Sequence, residues 1–483
     1  MITGALPTYR LPSSALRPGW PMLVIVAALV QQALSSLNCD VSWLITTAER
    51  VLDGARLYRD IEEVNPPASV LLYIPSVATA GLLGIAPEAV TVLLASMLAI
   101  LSLRHVGRIL AVPPAALASL GAAGAFILLV LPADLFAQRE HVALIAGLPC
   151  LAVIVRRTRN LPVRAGDAWA TGIGAGIMVA IKPHLILALA LPQLWSSARQ
   201  RSLDVLKSPE WLALAATGVG YLLIVLLVFP DYTAHMLPLL RLVYLPGRDS
   251  WGHLLTGTMV SIPATVAILT LWLARARPTN DVVVLLLAAA GFAAAGLVQG
   301  KGYLNHGYPA VATSLLAITL HLSRPGHARA FGAVCAAILA LFATYSYARV
   351  PEPRALSDAV QRLGPAHPRL IGISFDFSLG HPLTRWVGGE WVGTRGSQWV
   401  TGNAWQQLEN PALPATARRA YERAEQDDAA LLAADITGHR PDIILVDDVP
   451  GPRWIAAHPP LARAMQGYRP ARRVGTVTLW TKR

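Results

Sequence analysis

The chain has 483 residues, of which 54% are hydrophobic and 14% charged, with a mean hydropathy of +0.49. Soluble domains carry about 25% charged residues, so this composition excludes an ordinary soluble protein and indicates an integral membrane one. The net charge of +12 does not point to nucleic acid, because the basic residues fall in short clusters between apolar runs, as orientation signals facing anionic headgroups do.

Arg10 and Arg17 precede a first apolar run at 21–37. No small-residue cleavage site follows, so the run reads as an uncleaved span rather than a signal peptide. Next comes "NCDVSWLITTAERVLDGARLYRDIEEVNPP" at 38–67, with three Asp and three Glu, the densest acidic stretch of the chain. The run at 68–84 is interrupted by Pro75 and Gly81. Further apolar runs lie near 88–103, 112–131, 141–155, 168–181, 184–195, 211–229, 254–274, 281–298, 308–322 and 329–346.

Parity decides the status of 68–84. If it crossed the membrane, Arg104/Arg108 and Arg156/Arg157/Arg159 would lie opposite Arg10 and Arg17. As a juxtamembrane or re-entrant helix it puts them on one face, together with Arg199/Arg201/Lys207, Arg275/Arg277 and Arg324/Arg329, as the positive-inside rule requires. The expectation is a polytopic α-helical membrane protein with eleven spans, a cytoplasmic N-terminus and juxtamembrane helices in the first outer loop. The runs at 168–181 and 184–195 are short for a crossing of ~30 Å. They meet at Lys182-Pro183-His184, the signature of a broken hairpin that opens a polar pocket.

From about 347 the chain turns polar and mixed, which divides it into a membrane domain, 1–346, and a soluble domain, 347–483, on the periplasmic side. "RLIGISFDF" and "PDIILVDD" suit buried strands, "VGTVTLWTKR" alternates as a terminal strand does, and 415–434 is an Ala- and charge-rich surface helix. The tail is expected to be α/β. The three cysteines, Cys39, Cys150 and Cys335, fit neither a metal-ligand spacing nor a disulfide framework. Only four of the 40 basic residues are lysine, namely Lys182, Lys207, Lys301 and Lys482, so a lysine in this chain is informative.

On this topology the outer loops collect Asp40, Asp53, Tyr58, Arg59, Asp60, Glu62, Glu63 and Asn65, then Asp134, Gln138, Arg139, Glu140 and His141. Lys182 and His184, then Arg241, Arg248 and His253, then the "QGKGYLNHGY" segment at 299–308 complete the set. Each has an ordinary explanation. Asp40 can cap the helix after the first span, Asp53, Glu62 and Glu63 can be solvated faces of interfacial helices, and Lys182 and Lys301 can snorkel to headgroups. Pro66-Pro67 can simply start a helix. Against this, an ionisable residue closely flanked by apolar runs costs about 2.5–3.5 kcal/mol at a helix centre. Lys182 and Glu140 are the strongest cases.

An Asp directly after the first span, an acidic outer loop, and "LYRD…NPP" leading into a partly inserted helix resemble the GT-C glycosyltransferases. Relatives often carry His-Pro-Pro or Lys-Pro-Pro where this chain has Asn65-Pro66-Pro67. Many also have Asp in the second loop, best matched here by Glu140 within "AQREH", with Asp134 as the alternative. The resemblance covers the membrane domain and implies a polyprenyl-phosphate-linked sugar donor, with a cell-envelope glycan, lipid or protein as acceptor outside the cytoplasm of a bacterial inner membrane. It implies Asp40 as the general base, since an oxocarbenium-like transition state gains from a nearby carboxylate. Arg139, Lys182, His184, Lys301 and His306 are the cations for the departing lipid phosphate. Tyr58, Arg59, Asp60, Asn65 and Tyr303 are the substrate-binding candidates. Glu140 is assigned three alternatives: assisting Asp40, orienting Arg139, or holding a divalent cation, the one cofactor left open. A flippase for a lipid-linked sugar would show internal repeats with matched broken helices, which are not evident. A polysaccharide polymerase or ligase would not need Asp40 directly after the first span.

Overall fold

The computed structural model describes residues 19–275, 277–324, 329–348 and 354–483; Arg10 and Arg17 lie outside the described residues. Six helices are long and apolar enough to cross a bilayer: Pro87–Ile109, Arg139–Thr158, Pro209–Val228, Trp251–Leu273, Asn280–Gln299 and Arg329–Tyr347. A seventh is counted if the bent pair Trp20–Leu34 and Cys39–Leu52 is one span. The expected spans at 112–131 and 168–181 appear as shorter apolar helices, Ala116–Val130 and Ala165–Ile181. The chain divides into two compact units.

The first unit comprises the described residues of Met1–Ser36, Thr91–Leu222 and Asp249–Arg349. Its central helix, Arg139–Thr158, is almost wholly buried. Ala165–Ile181 ends at Lys182, whose backbone is extended at φ −147° and ψ 107°. Pro183 dictates this, because its ring disfavours the helical conformation in the residue before it. A short 3₁₀ turn, Pro183–Ile186, then leads into Leu187–Gln200, so the expected broken hairpin is present. The Asn280–Gln299 helix lies close against this break. A Cβ on Gly291 would stand 2.3 Å from the Leu187 carbonyl oxygen, so only glycine allows the approach. At the opposite end of these helices, Arg159 and Arg324 both pair with buried Asp281, and Arg157 bonds buried Glu210 at 3.0 Å. Arg157, Arg159 and Arg324, expected as orientation signals, thus also tie helices together.

The second unit comprises the described residues of Leu37–Val90, Leu223–Arg248 and Val350–Arg483. The tail is α/β, as expected. Its strands β1 (Arg369–Ile373), β2 (Glu390–Trp391), β3 (Ile443–Asp447), β4 (Tyr468–Val474) and β5 (Val477–Lys482) form one sheet in the order β2-β1-β3-β5-β4. β1 is parallel to β2 and β3, while β5 is antiparallel to β3 and β4. Ile371, Ile373, Ile444 and Val446 pack under Leu432, Ala433 and Ile436 of the Ala415–His439 helix, and each buried aliphatic side chain contributes about 1.5–3 kcal/mol.

The acidic stretch after the first span belongs to this same unit, and two of its carboxylates, Glu49 and Glu62, pair with the tail. Arg385 donates to both Glu49 oxygens, at 2.7 and 3.0 Å, and to Glu88. Arg395 bonds Glu62 at 2.7 Å and also Asp428. Arg50 donates to the Gly393 carbonyl at 2.7 Å, and the Glu62 amide donates to the Thr394 carbonyl at 2.8 Å. Burial pulls the Arg385 guanidinium toward neutrality, but its bonds to Glu49 and Glu88 more than reverse this and leave it held charged. Glu62 and Glu63 are therefore not the solvated faces expected of them: Glu62 is an ion-pair partner of Arg395, and Glu63 is buried.

Candidate functional site

In the first unit the break at Lys182 and the start of the Arg139–Thr158 helix bring together most of the expected cations. Glu140 occupies the first turn of that helix, where the helix dipole favours a negative charge. Its Oε1 accepts a hydrogen bond from Lys182 Nζ, and His306 Nε2 lies 3.6 Å from the same oxygen. Lys182 also donates to Gln299 Oε1 at 3.2 Å. Arg139, Glu140, Lys182 and His306 are all buried. The ring of half-exposed Tyr303 lies 5.3 Å from that of His306. Lys301 is buried in the short loop between Gln299 and Tyr303, and His184 is half-buried beside Lys182.

Lys182 pairs with Glu140, and the charge of Arg139, the residue before it in the helix, also bears on that carboxylate. Among the described residues Glu140 Oε2, Gln138 Oε1 and His306 Nδ1 have no hydrogen-bond partner. Leaving such a group unpaired costs about 1–3 kcal/mol, so the arrangement favours a polar occupant. An anion with acceptor oxygens suits the two cations. Among the described residues no group of three or more His, Cys, Asp or Glu has metal-binding geometry.

His141, one residue on, serves the fold. Its Nδ1 accepts from the Ala137 amide at 2.9 Å and its Nε2 bonds the Leu128 carbonyl at 2.7 Å. That carbonyl lies in the π-helical turn Phe126–Val130, where i→i+5 bonding shifts the backbone ladder. Tyr308 donates to the neighbouring Ile127 carbonyl at 2.8 Å.

The second unit holds the other candidates. Asp40 lies in the first turn of Cys39–Leu52 and is half-buried. It is not the cap of that helix. Asn38 is, accepting the Asp40 amide on its side-chain oxygen at 2.9 Å. Tyr58 is buried, donates from its hydroxyl to the Asn65 carbonyl at 2.6 Å, and packs its ring, tilted by 53°, at 5.0 Å from that of Tyr232. Asn65 gives its amide, at 3.0 Å, and its side-chain Nδ2 to Glu63 Oε1. Arg59 and Asp60 are exposed on the 56–61 turn, where Asp60 accepts the Arg56 amide at 2.8 Å. Sequence reasoning collected Glu63 and the 299–308 segment among the outer-loop polar residues but gave Glu63 a solvated face and Gln299 no role, and it missed Trp43. Gln299 had a signal in its place directly before "GKGY"; Glu63 and Trp43 had none beyond their positions in the acidic stretch.

The chain has the fold of the GT-C membrane glycosyltransferases. ArnT from Cupriavidus metallidurans in the apo state shares it with a TM-score of 0.57 and 12% sequence identity, over 96% of this chain and 97% of that one. The same protein bound to undecaprenyl phosphate gives a TM-score of 0.50 at 14% identity, over 96% and 98%. No protein-family model matches the sequence, and no curated protein matches it. The fold and the apolar helices make this a multi-pass membrane protein.

Proposed function

We propose that the chain transfers a hexosyl or pentosyl group from a polyprenyl-phosphate-linked donor to a glycan, lipid or protein acceptor on the periplasmic face of a bacterial inner membrane. The observation that carries this reading is the buried cluster of Arg139, Lys182, Glu140 and His306 beside a helix break, in a fold shared with a protein crystallised with undecaprenyl phosphate. A phosphate oxygen would compete with Glu140 for Lys182, and charge-assisted bonds of this kind are among the strongest available to a protein. Lys301 and His184 are the further candidates for the lipid phosphate, and Tyr303 is a candidate for the sugar.

In the reaction the acceptor oxygen attacks the anomeric carbon, the bond from that carbon to the phosphate oxygen breaks, and its electron pair leaves on the lipid phosphate. Asp40 takes the acceptor's proton. Eleven spans, a cytoplasmic N-terminus and an outward tail complete the proposal. It is tested with purified protein in lipid and a panel of polyprenyl-phosphate sugars. The parent should transfer or release sugar, and Asp40→Asn should lose about 10²–10⁴-fold while folding normally. Movement of labelled donor across the bilayer with no bond cleavage would replace the transferase by a flippase. A reporter fused after Arg483 that is active in the cytoplasm would overturn the topology.

A further inference from the structure

The turn that carries Asp40 is fastened to the Asn65-Pro66-Pro67 segment by a buried carboxylate. Trp43, one helical turn beyond Asp40, donates from Nε1 to Glu63 Oε2 at 2.6 Å. The other oxygen of Glu63 accepts the Asn65 amide at 3.0 Å and the Asn65 Nδ2. Tyr58 closes the far side by donating to the Asn65 carbonyl. The Trp43 ring is itself buttressed by the tail, with His381 at 5.0 Å and Phe377 at 6.0 Å. Glu63 and Trp43 are both buried.

Burying a carboxylate is costly, and a well-packed apolar group of similar size often does as well or better for stability alone. What Glu63 adds is direction. Three N–H donors on two separate segments converge on one planar group, which fixes the rotation of the Cys39–Leu52 helix relative to Asn65. A misplacement of about 1 Å at a reacting group can cost about 10²-fold in rate, so that rotation matters if Asp40 is the base.

We propose that Glu63 is a positioning residue for transfer, acting through Trp43 on the turn that bears Asp40. The inference rests on the proposed role of Asp40. Glu63→Gln keeps the size but can no longer accept on both sides, and Trp43→Phe removes the donor while keeping a ring against His381 and Phe377.

The experiment measures kcat and donor KM for full-length protein in lipid, for each variant alone, for the pair, and for each in an Asp40→Asn background, with thermal unfolding as the folding control. Each single variant should lower kcat about tenfold or more with donor KM changed less than about threefold. The pair should lose no more than either single, because both break one link. In the Asp40→Asn background neither should cost anything further. A near-normal kcat in both singles, with Asp40→Asn inactive, overturns the positioning role. So do losses that multiply with that of Asp40→Asn, since they signal general damage. An active Asp40→Asn removes the base itself, a different failure that the same data identify.

Discussion

Two buried glutamates, one in each unit, are handled in opposite ways. Glu140 meets Lys182 and Arg139, full positive charges for which a phosphate could compete, and one of its oxygens has no hydrogen-bond partner among the described residues. Glu63 receives N–H donors from Trp43 and Asn65, groups that an incoming anion would gain little by taking. The first arrangement suits binding, because its ion pair can be exchanged for another. The second suits geometry, because its bonds are directional and already committed. The unit that holds the Arg139–Thr158 helix thus carries the cluster suited to a charged ligand, and the unit with the tail carries the scaffold around Asp40.

The largest effect that could break this contrast is at Lys182. Lys182→Met leaves Glu140 buried beside an apolar side chain, and breaking a buried pair from one side costs about 3–5 kcal/mol, which thermal unfolding would register. Adding Glu140→Gln should recover most of that stability, because neither charge is then stranded. Donor binding should stay weak in the double variant, by about tenfold or more, since a charge-assisted bond to phosphate is worth about 1.5–3 kcal/mol. Donor affinity restored along with stability would mean that the pair is structural and the contrast false.

A smaller effect is expected where the tail grips the acidic stretch. Arg385→Ala leaves Glu49 and Glu88 without the guanidinium between them. Both carboxylates are about a third exposed, so water offsets part of the loss and about 2–3 kcal/mol is expected. Limited proteolysis should then cut between the tail and the Cys39–Leu52 helix more readily. Arg385→Lys should rescue only in part, because an ammonium cannot reproduce the bidentate fork on Glu49.

The aromatic buttress beside Trp43 predicts a pH dependence. His381 is fully buried, neither ring nitrogen has a hydrogen-bond partner among the described residues, and burial, aided by the Arg385 charge, lowers its pKa from 6.5 to about 3. The unfolded chain takes up a proton near pH 6.5 and the folded one does not, so this contribution is complete above pH 6.5. It is lost as pH falls from there toward about 3, with a slope of up to about 1.4 kcal/mol per pH unit. His381→Phe should flatten unfolding midpoints across that window. An unchanged slope would place the titrating group elsewhere.

Much of the fold was legible because its causes are local. Pro183 after Lys182 breaks the helix by steric exclusion, and β1, β3 and β5 announce themselves as short apolar or alternating runs. β4 was not legible: its Arg469, Pro470, Arg472 and Arg473 have no strand pattern, and it exists because β5 supplies the pairing. The same distinction runs through the site. Glu140 and Lys182 stood out as charges among apolar neighbours, a property of each one's own segment. Glu63 and Trp43 became visible only once folding joined residues 20 positions apart, and Glu62 and Glu49 only once the tail, more than 330 positions away, came back to meet them.

The smallest expected effect separates capping from chemistry at one helix end. Asn38 and Asp40 are near neighbours of similar size, and either could cap Cys39–Leu52 by composition. The hydrogen bond runs from the Asp40 amide to the Asn38 side chain, so the loss of Asn38 should be felt in stability and the loss of the Asp40 charge in turnover. Asn38→Ala should cost about 1 kcal/mol in unfolding, and Asn38→Asp should restore it, because an aspartate accepts the same amide. Asp40→Asn keeps the backbone donor to Asn38, so the cap itself should survive it. If the two costs were reversed, with Asp40→Asn destabilising and Asn38→Ala silent, the aspartate would be the cap, and its half-buried place at the start of the helix would need no catalytic explanation.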